Sequence, residues 1–302
     1  MQLINTLVAH AIPWLPRALI QSISRRYIAG NKLADALVRI HELNALGFQV
    51  TVDVLGESAG NLSQVTDTTN EYIRLLHAIH AHGLNAGISV KPTALGLLLH
   101  PAQCEQMLMQ IVDVAEGHAL PVCMDMEDVS CTQMEIELFI RLKQYSNKLS
   151  LALQAYLQRS YADIEQLIHL QSSLRLCKGI YAEDQSHLVK DAWRDRSAIN
   201  AHFLHHVSRC FDAGTFIAIA THDQVLVRQI VAMIRQRHIA PTQFEFQMLL
   251  GVCEPLRDWL REMGFCVRIY VPYGEDWYGY STRRMKENPR IAGYVLRAML
   301  GL

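Results

Sequence analysis

Charged and polar side chains recur at the ends of short apolar segments along the chain. Glu57 follows the first segment, Lys91 ends the second and Asp125 lies within the third, while the fifth carries Arg175 and Lys178. Later segments repeat the pattern with Gln154, Thr221, His222, Glu245 and Gln247. Burying charged groups without partners costs free energy, so this repetition predicts one shared polar site.

Two adjacent arginines, Arg283 and Arg284, follow the last apolar segment in DWYGYSTRRMKENP. Guanidinium groups bind carboxylates in a bidentate way, and Lys91 would add a further positive charge. Adjacent helical residues point about 100° apart, so both arginines face one pocket only if it wraps around the helix end. The pattern predicts a small carboxylate ligand; a solvated basic surface is the alternative.

Aromatic residues crowd the same region of the sequence. They are Tyr270, Tyr273, Trp277, Tyr278 and Tyr280. Aromatic rings wall small apolar ligands and exclude water, although such a cluster alone more often reflects packing. Gly179, in RLCKGIY, would let a ligand approach the backbone closely.

Common catalytic and nucleotide-binding motifs are absent. The sequence contains no GxGxxG, no GxxxxGK[ST] and no GxSxG, so a bound dinucleotide would not be held by a Rossmann fold or a P-loop. His77, His80 and His82 have helical spacing but no accompanying carboxylate or cysteine, and no metal is expected.

Composition favours a cytoplasmic protein. The 302 residues are half hydrophobic with a formal net charge of -1, which gives no basic surface for nucleic acid. Seven scattered cysteines suit a reducing compartment. The apolar N-terminal segment, broken by Pro13, Pro16 and Arg17, predicts a helix docked on the fold, with peripheral contact to the inner face of a membrane as the alternative.

The sequence pattern predicts that alternating strands and helices position these residues. The expected strands are Phe48–Leu55, Ala86–Lys91, Pro121–Met126, Leu151–Ala155, Leu174–Lys178, Phe216–Thr221, Phe244–Met248 and Val267–Pro272. Helical segments such as Asn70–His82 and Pro101–Glu116 lie between them. Eight near-continuously apolar strands with intervening helices predict a (β/α)8 barrel over residues 46–302, preceded by a helical extension over 1–45. In such barrels the chemistry lies at the carboxyl ends of the strands.

The chain resembles the proline dehydrogenase family, in its short monofunctional bacterial form. The resemblance extends from about Ser24 to about Pro289. The motifs that carry it, in chain order, are DVLGE, SVKPTALG, CMDMED, LQAYLQR, LRLCKGIY, IATHD, FEFQMLLGV and RIYVPYGEDWYGYSTRRMKENP. One such motif for each predicted strand makes the resemblance specific.

The resemblance implies a distorted barrel that binds FAD. Hydride transfer to flavin N5 would oxidise L-proline to Δ1-pyrroline-5-carboxylate, and a membrane quinone would receive the electrons. Lys91, Arg283 and Arg284 would hold the substrate carboxylate, and Asp125 would orient Lys91. Arg175 would lie beside flavin N5 and stabilise negative charge on the reduced ring.

Further roles follow from the resemblance alone. Tyr270, Tyr280 and Leu249 would wall the proline ring, and Glu57 would act as a gate that pairs with Arg283. The cofactor contacts would come from Met126, Gln154, Arg175, Lys178, Gly179, Ile180, Thr221 and His222. One departure lies beside the cofactor positions: Asp223 stands where many relatives have asparagine.

Two other functions stay open on the sequence. A flavoenzyme for another cyclic secondary amine, such as hydroxyproline, would use the same fold, although the bulk of Tyr270 favours proline. A barrel without activity, acting as a binding module, is disfavoured by the presence of Lys91, Asp125, Arg175, Arg283 and Arg284.

Overall fold

The computed structural model describes residues 24–56 and 58–281. Expectations for the first 23 residues, for the gate residue Glu57 and for Arg283 and Arg284 therefore lie outside the described residues. Within these ranges, parallel strands β1 to β8 pair in chain order, and β8 pairs with β1 to close a barrel. The predicted (β/α)8 fold is confirmed.

Strands and helices alternate along the described chain. The strands are β1 (Gln49–Val54), β2 (Ala86–Val90), β3 (Val122–Met124), β4 (Leu149–Gln154), β5 (Ser173–Cys177), β6 (Ile217–Ala220), β7 (Phe244–Leu249) and β8 (Val267–Tyr273). The α-helices are α1 (Leu33–Ala45), α2 (Leu62–Ala81), α3 (Pro101–Gly117), α4 (Val129–Lys143), α5 (Ser160–His169), α6 (Ile199–Asp212), α7 (Gln224–Gln236) and α8 (Glu254–Glu262).

Burial on both faces explains why the strands are almost entirely apolar. All five residues of β2 are buried, because one face looks into the barrel and the other is covered by helices. The third strand is shorter than predicted, since the chain turns towards α4 after Met124. Asp125 nevertheless donates its backbone N–H to Val90 O at 2.9 Å, which keeps it beside the end of β2.

The helix α1 precedes the barrel and packs against β1 and β8. Its buried residues Ala36, Ile40 and Leu43 supply the apolar side of the contact. It covers the seam at which the last strand joins the first.

Capping residues fix where several helices begin after the strands. The Asn61 side chain accepts from Gln64 N, so α2 begins eight residues earlier than the predicted start at Asn70. Asp128 caps α4 through Ser130 N, and Asp223 caps α7 through Val225 N and Leu226 N. These caps place polar side chains at the carboxyl ends of β3 and β6. Among the helices described, none has the length and hydropathy that a membrane span requires.

Candidate functional site

The carboxylate of Asp125 is the centre of a buried cluster at the carboxyl end of the barrel. Its Oδ1 accepts from Ser89 Oγ at 2.6 Å and from Arg175 Nη1 at 2.5 Å. Its Oδ2 accepts from the Tyr270 hydroxyl at 2.7 Å and lies 3.8 Å from Lys91 Nζ. Four strands or their ends thus meet at one acidic group, which brings together four residues selected from the sequence, Lys91, Asp125, Arg175 and Tyr270.

The guanidinium of Arg175 is fixed on several sides. Its Nε donates to Gln247 Oε1 at 2.6 Å, and its Nη1 also donates to Ser89 Oγ at 2.9 Å. It lies over the Tyr270 ring with 5.5 Å between the guanidinium carbon and the ring centroid. Arg175 is only 5% exposed, so its position depends on these partners rather than on solvent.

The main partner of Lys91 is Asp53, a residue that was not singled out from the sequence. Lys91 Nζ lies 2.7 Å from both carboxylate oxygens of Asp53, which is 1% exposed. The expected pairing with Asp125 is present but longer. Burial alone would lower the pKa of Lys91, but the charges of Asp53 and Asp125 outweigh it and raise the pKa to about 12.

Tyr270 and Leu249, two of the three residues predicted to wall the ring, lie side by side in the barrel. The two residues are paired across β7 and β8. Burial, followed by the charges of Asp125 and Asp53, raises the pKa of Tyr270 well above its ordinary value. The hydroxyl therefore keeps its proton and acts as the donor to Asp125. Tyr280 is half-buried in the helical residues 277–281 that follow β8.

Lys178 lies at the end of β5 and pairs with Asp223 at the end of β6. Its Nζ lies 2.6 Å from Asp223 Oδ2 and 3.2 Å from the carbonyl oxygen of Arg196. Asn200 Nδ2 donates to the same carboxylate oxygen at 3.2 Å. Burial would raise the pKa of Asp223, but the hydrogen bonds from Lys178, Leu226 and Asn200 lower it below its ordinary value.

Gly179 adopts a backbone conformation that favours glycine, with φ of +104°. A Cβ at this position would lie 2.3 Å from two ring carbons of Tyr156. The close contact with the Tyr156 ring thus requires glycine at position 179, whether or not a ligand also approaches the backbone here. The neighbouring Ile180 is 44% exposed, and Arg196 Nη2 holds the loop by donating to Gly179 O at 2.6 Å.

Gln154 and Met126 are buried at the ends of their strands. Gln154 Nε2 donates to Glu127 O at 2.8 Å, while its buried Oε1 has no hydrogen-bond partner among the described residues. The buried Oδ1 of Asn200 is another acceptor that has no hydrogen-bond partner among the described residues. Buried acceptors are seldom left unpaired, so these two fit a ligand that carries hydroxyl or amine donors.

His222 and Thr221 follow β6. Leu249 donates its backbone N–H to His222 Nε2 at 2.9 Å, so this ring nitrogen is the unprotonated one. Thr221 is buried, and its hydroxyl accepts from Asp223 N at 3.3 Å. The ends of β6 and β7 are joined through these contacts.

One expectation from the sequence needs correction. Glu245 does not lie at the carboxyl end of the barrel: it is the second residue of β7 and pairs with Arg268 at the opposite end. Among the described residues, Lys91, Arg175 and Lys178 each lie beside a carboxylate. The cations are evident in the sequence, but their carboxylate partners come close to them only in the folded barrel.

The site can therefore hold a polar ligand between two kinds of surface. One is the Asp125 cluster with its aromatic wall, and the other is the polar rim at the ends of β4 to β6, which has unpaired acceptors and the Lys178 cation. The described residues include no group of three or more His, Cys, Asp or Glu side chains able to hold a metal ion. Among the described residues, the carboxylate beside Tyr270 is that of Asp125, which already accepts hydrogen bonds from Ser89, Arg175 and Tyr270 and is therefore not free to act as a base.

The chain also matches a known protein family over most of its length. The sequence model described as "Proline dehydrogenase" matches residues 36–297. The chain belongs to the proline dehydrogenase family.

Relatives of similar length support this assignment. The chain is 34% identical over 277 residues to "Proline dehydrogenase 1" of Bacillus subtilis (strain 168), covering 92% of this chain and 90% of that protein. It is 30% identical over 297 residues to "Proline dehydrogenase" of Deinococcus radiodurans, covering 95% and 93% respectively. The resemblance inferred from the motifs is confirmed.

Solved structures of larger members share the fold. Proline utilization A (PutA) from Bdellovibrio bacteriovorus, inactivated by N-propargylglycine, superposes with a TM-score of 0.80 at 21% identity. The match covers 87% of this chain and 32% of that one. At this identity the likeness shows the barrel alone.

Proposed function

We propose that this chain is an FAD-dependent L-proline dehydrogenase that forms Δ1-pyrroline-5-carboxylate, the first step of proline catabolism to glutamate. The observation that carries the proposal is the Asp125 carboxylate, which binds both Arg175 and Tyr270. In the family resemblance, Arg175 faces the flavin and Tyr270 faces the proline ring. One buried carboxylate would therefore set the relative position of cofactor and substrate.

Substrate binding is proposed to use the carboxylate and the ring of proline separately. Lys91, Arg283 and Arg284 would hold the carboxylate. Tyr270, Tyr280 and Leu249 would enclose the ring, and the predicted gate residue Glu57 would pair with Arg283. A carboxylate fixed at one end of a five-membered ring aims the other end at the cofactor, and such positioning supplies much of the rate enhancement.

Cofactor binding is proposed to use the ends of β3 to β6. The residues are Met126, Gln154, Arg175, Lys178, Gly179, Ile180, Thr221 and His222. The unpaired acceptor of Gln154 suits a hydroxyl or N–H donor of FAD, and Lys178 suits its phosphates. When bound, FAD supplies the acceptor for the two electrons of the oxidation.

The atoms balance in a single oxidation step. A hydride leaves proline Cδ and a proton leaves the nitrogen, which forms the C=N bond of the product. The amine must be unprotonated for the hydride to leave, and water takes its proton in this proposal because no side chain in the described site is available as a base.

The electron acceptor and the location complete the proposal. We infer a membrane quinone as acceptor and a cytoplasmic protein whose N-terminal segment docks on the fold, with peripheral contact to the inner face of the membrane as the alternative. Within the chain, residues 1–45 would form a helical extension and 46–302 the catalytic barrel.

A flavin spectrum tests the proposal directly. The purified protein, supplied with FAD, should show the absorption of a bound flavin, and anaerobic proline should bleach it. A protein that takes up no FAD, or one whose bound flavin is not bleached by proline, would overturn the proposal.

A further inference from the structure

Polar side chains continue from Arg175 into the barrel interior, away from the proposed site. Gln247 Oε1 accepts from Arg175 Nε at 2.6 Å, and Gln247 Nε2 donates to Glu245 Oε1 at 2.6 Å. Arg268 donates to both oxygens of Glu245, from Nε at 2.6 Å and from Nη2 at 3.0 Å.

The amide of Gln247 can be oriented in only one way. A guanidinium group only donates and an ionised carboxylate only accepts, so the amide oxygen must face Arg175 and the amide nitrogen must face Glu245. Gln247 is 8% exposed and Glu245 is 5% exposed, which leaves little solvent to replace either bond. The amide is thus a fixed and neutral connection between two charged groups.

This neutrality controls how much of the charge on Arg175 is compensated. Asp125 is its one carboxylate partner among the described residues, and Asp125 also lies near Lys91. Glu245 is already paired with Arg268. A carboxylate in place of the Gln247 amide would put a second negative group at 2.6 Å from the Arg175 guanidinium, in a buried region where charges interact strongly.

We propose that Gln247 is a positioning residue for the reaction, which holds Arg175 while leaving part of its positive charge for the flavin. The inference rests on the proposed function, in which Arg175 lies beside flavin N5. Positive charge there favours electrons on the flavin, so the charge at position 247 should set the reduction potential.

The test is Gln247→Glu in the FAD-loaded protein, with the flavin reduction potential measured against pH. While protonated, the new carboxyl can accept from Arg175 and donate to Glu245, as the amide does, and the potential should match that of the unmodified protein. Once ionised, it should make the potential more negative. The variant should therefore gain a pH-dependent step in potential that the unmodified protein lacks.

Other charged and titratable groups surround the position. They are Arg175, Asp125, Glu245, Cys266, Arg268 and Tyr270. Burial, followed by the charge of Glu245, raises the pKa of Cys266 to about 11, and that of Tyr270 lies well above its ordinary value. Because all these groups are also present in the unmodified protein, a step that appears only in the variant would belong to the introduced carboxyl.

There is room for the substitution. A cavity of about 250 Å³ at the amino end of the barrel is lined by Gln247, Arg175, Glu245 and Arg268. The change from amide to carboxyl adds no volume, so the new side chain fits the space that Gln247 occupies.

Two further variants separate charge from packing. Gln247→Met keeps the side-chain length but removes both hydrogen bonds, and it should lower kcat about tenfold with less than about a threefold change in KM for proline. It should show no new pH step in potential. Gln236→Glu, at the exposed end of α7, makes the same charge change away from the barrel interior and should leave the potential unchanged.

The outcomes distinguish this inference from the proposed function. A protein that oxidises proline through bound FAD but whose Gln247→Glu potential follows that of the unmodified protein at every pH would overturn the inference alone. Failure to bind FAD or to oxidise proline would overturn the proposed function. If Gln247→Glu does not fold, an unchanged kcat in Gln247→Met overturns the inference.

Discussion

The Tyr270 hydroxyl donates a 2.7 Å hydrogen bond to Asp125 Oδ2, while Asp125 Oδ1 holds Arg175 at 2.5 Å. The aromatic wall proposed for the substrate is therefore connected through one carboxylate to the cation proposed for the cofactor. A change at Tyr270 should alter both the space above the substrate ring and the restraint on Asp125. Variants of Tyr270 can separate these two effects.

Tyr270→Ser should shift substrate preference towards 4-hydroxyproline. The smaller side chain opens space for the extra hydroxyl, and we expect the ratio of kcat/KM for hydroxyproline to that for proline to rise about tenfold. Tyr270→Phe keeps the ring but removes the bond to Asp125, so it should change this ratio by less than about threefold. Steady-state kinetics with both substrates checks the prediction. Equal ratios in all three proteins would remove Tyr270 from the specificity argument.

Asp53→Asn should destabilise the fold because it removes the closest partner of a buried ammonium group. Among the described residues, Lys91 would retain one ion-pair partner, Asp125, at 3.8 Å. Breaking a buried ion pair from one side costs about 3 kcal/mol in the free energy of unfolding, which urea denaturation at pH 7 would measure. The raised pKa of Lys91 means that its stabilising contribution is complete below its ordinary pKa of 10.5 and is lost as the pH rises through about 12.

A surface pair provides the control for Asp53. Glu254 contacts Arg26 at 2.9 Å, and both side chains are about two-fifths exposed. Glu254→Gln should cost no more than about 1 kcal/mol. If Asp53→Asn costs no more than this control, the pair with Lys91 contributes little to the fold. Adding Lys91→Met to Asp53→Asn should restore part of the loss, since no unpaired charge then remains buried.

The sequence predicts the barrel and several site residues because each leaves a local signal. Near-continuous apolar segments identify the strands, and Lys91, Arg175 and Tyr270 are conspicuous at or near their ends. Asp53 is likewise a charged residue within a predicted apolar strand, but its pairing with Lys91 depends on the register that places it opposite Ser89, two residues before Lys91.

One other feature depends on tertiary structure in the same way. Asn200 lies in the first turn of α6, 22 residues after Lys178, and only the folded loop brings it to Asp223. Glu245 directly follows Phe244, the predicted first residue of its strand, so grouping it with the polar residues at the carboxyl ends overlooked which end of the strand it occupies. Its partner Arg268 on β8 decides the matter.

Glu135 should make the stability of the fold fall as the pH rises. Burial, followed by the charge of Glu127, raises its pKa from 4.5 to about 9, and its oxygens accept from Glu127 N at 3.2 and 3.3 Å. The folded state therefore holds a proton between pH 4.5 and about 9 that the unfolded state has released. Each unit of pH in this window should lower the contribution of Glu135 by about 1.4 kcal/mol.

Glu135→Gln should remove this pH dependence. The difference in unfolding free energy between the variant and the unmodified protein should become more favourable to the variant from pH 6 to pH 8. The size of this free-energy difference at any one pH depends on how well the amide N–H groups of the introduced glutamine are placed. Its change with pH reports only the titration of Glu135. Glu137→Gln, on the exposed side of the same helix, should leave the slope unchanged. Parallel curves for all three proteins would show that Glu135 does not titrate in this range.

Asp223→Asn should strengthen FAD binding by releasing Lys178. Asparagine can keep the cap of α7 through Oδ1, which accepts from Val225 N and Leu226 N at 3.0 and 3.1 Å. It cannot keep the ion pair, which places Lys178 Nζ at 2.6 Å from Asp223 Oδ2. The ammonium group would then be available to the phosphates of FAD without first giving up a carboxylate.

The expected gain in FAD affinity is about fivefold, which corresponds to about 1 kcal/mol for a partly exposed pair. Titration of the protein with FAD, followed by quenching of flavin fluorescence, would measure it. Asp184→Asn is the matched control, because Asp184 caps the short 3-10 helix Gln185–His187 through Ser186 N at 2.8 Å. That substitution should leave the affinity unchanged. Weaker binding in Asp223→Asn would mean that the carboxylate itself holds Lys178 in the position that FAD requires.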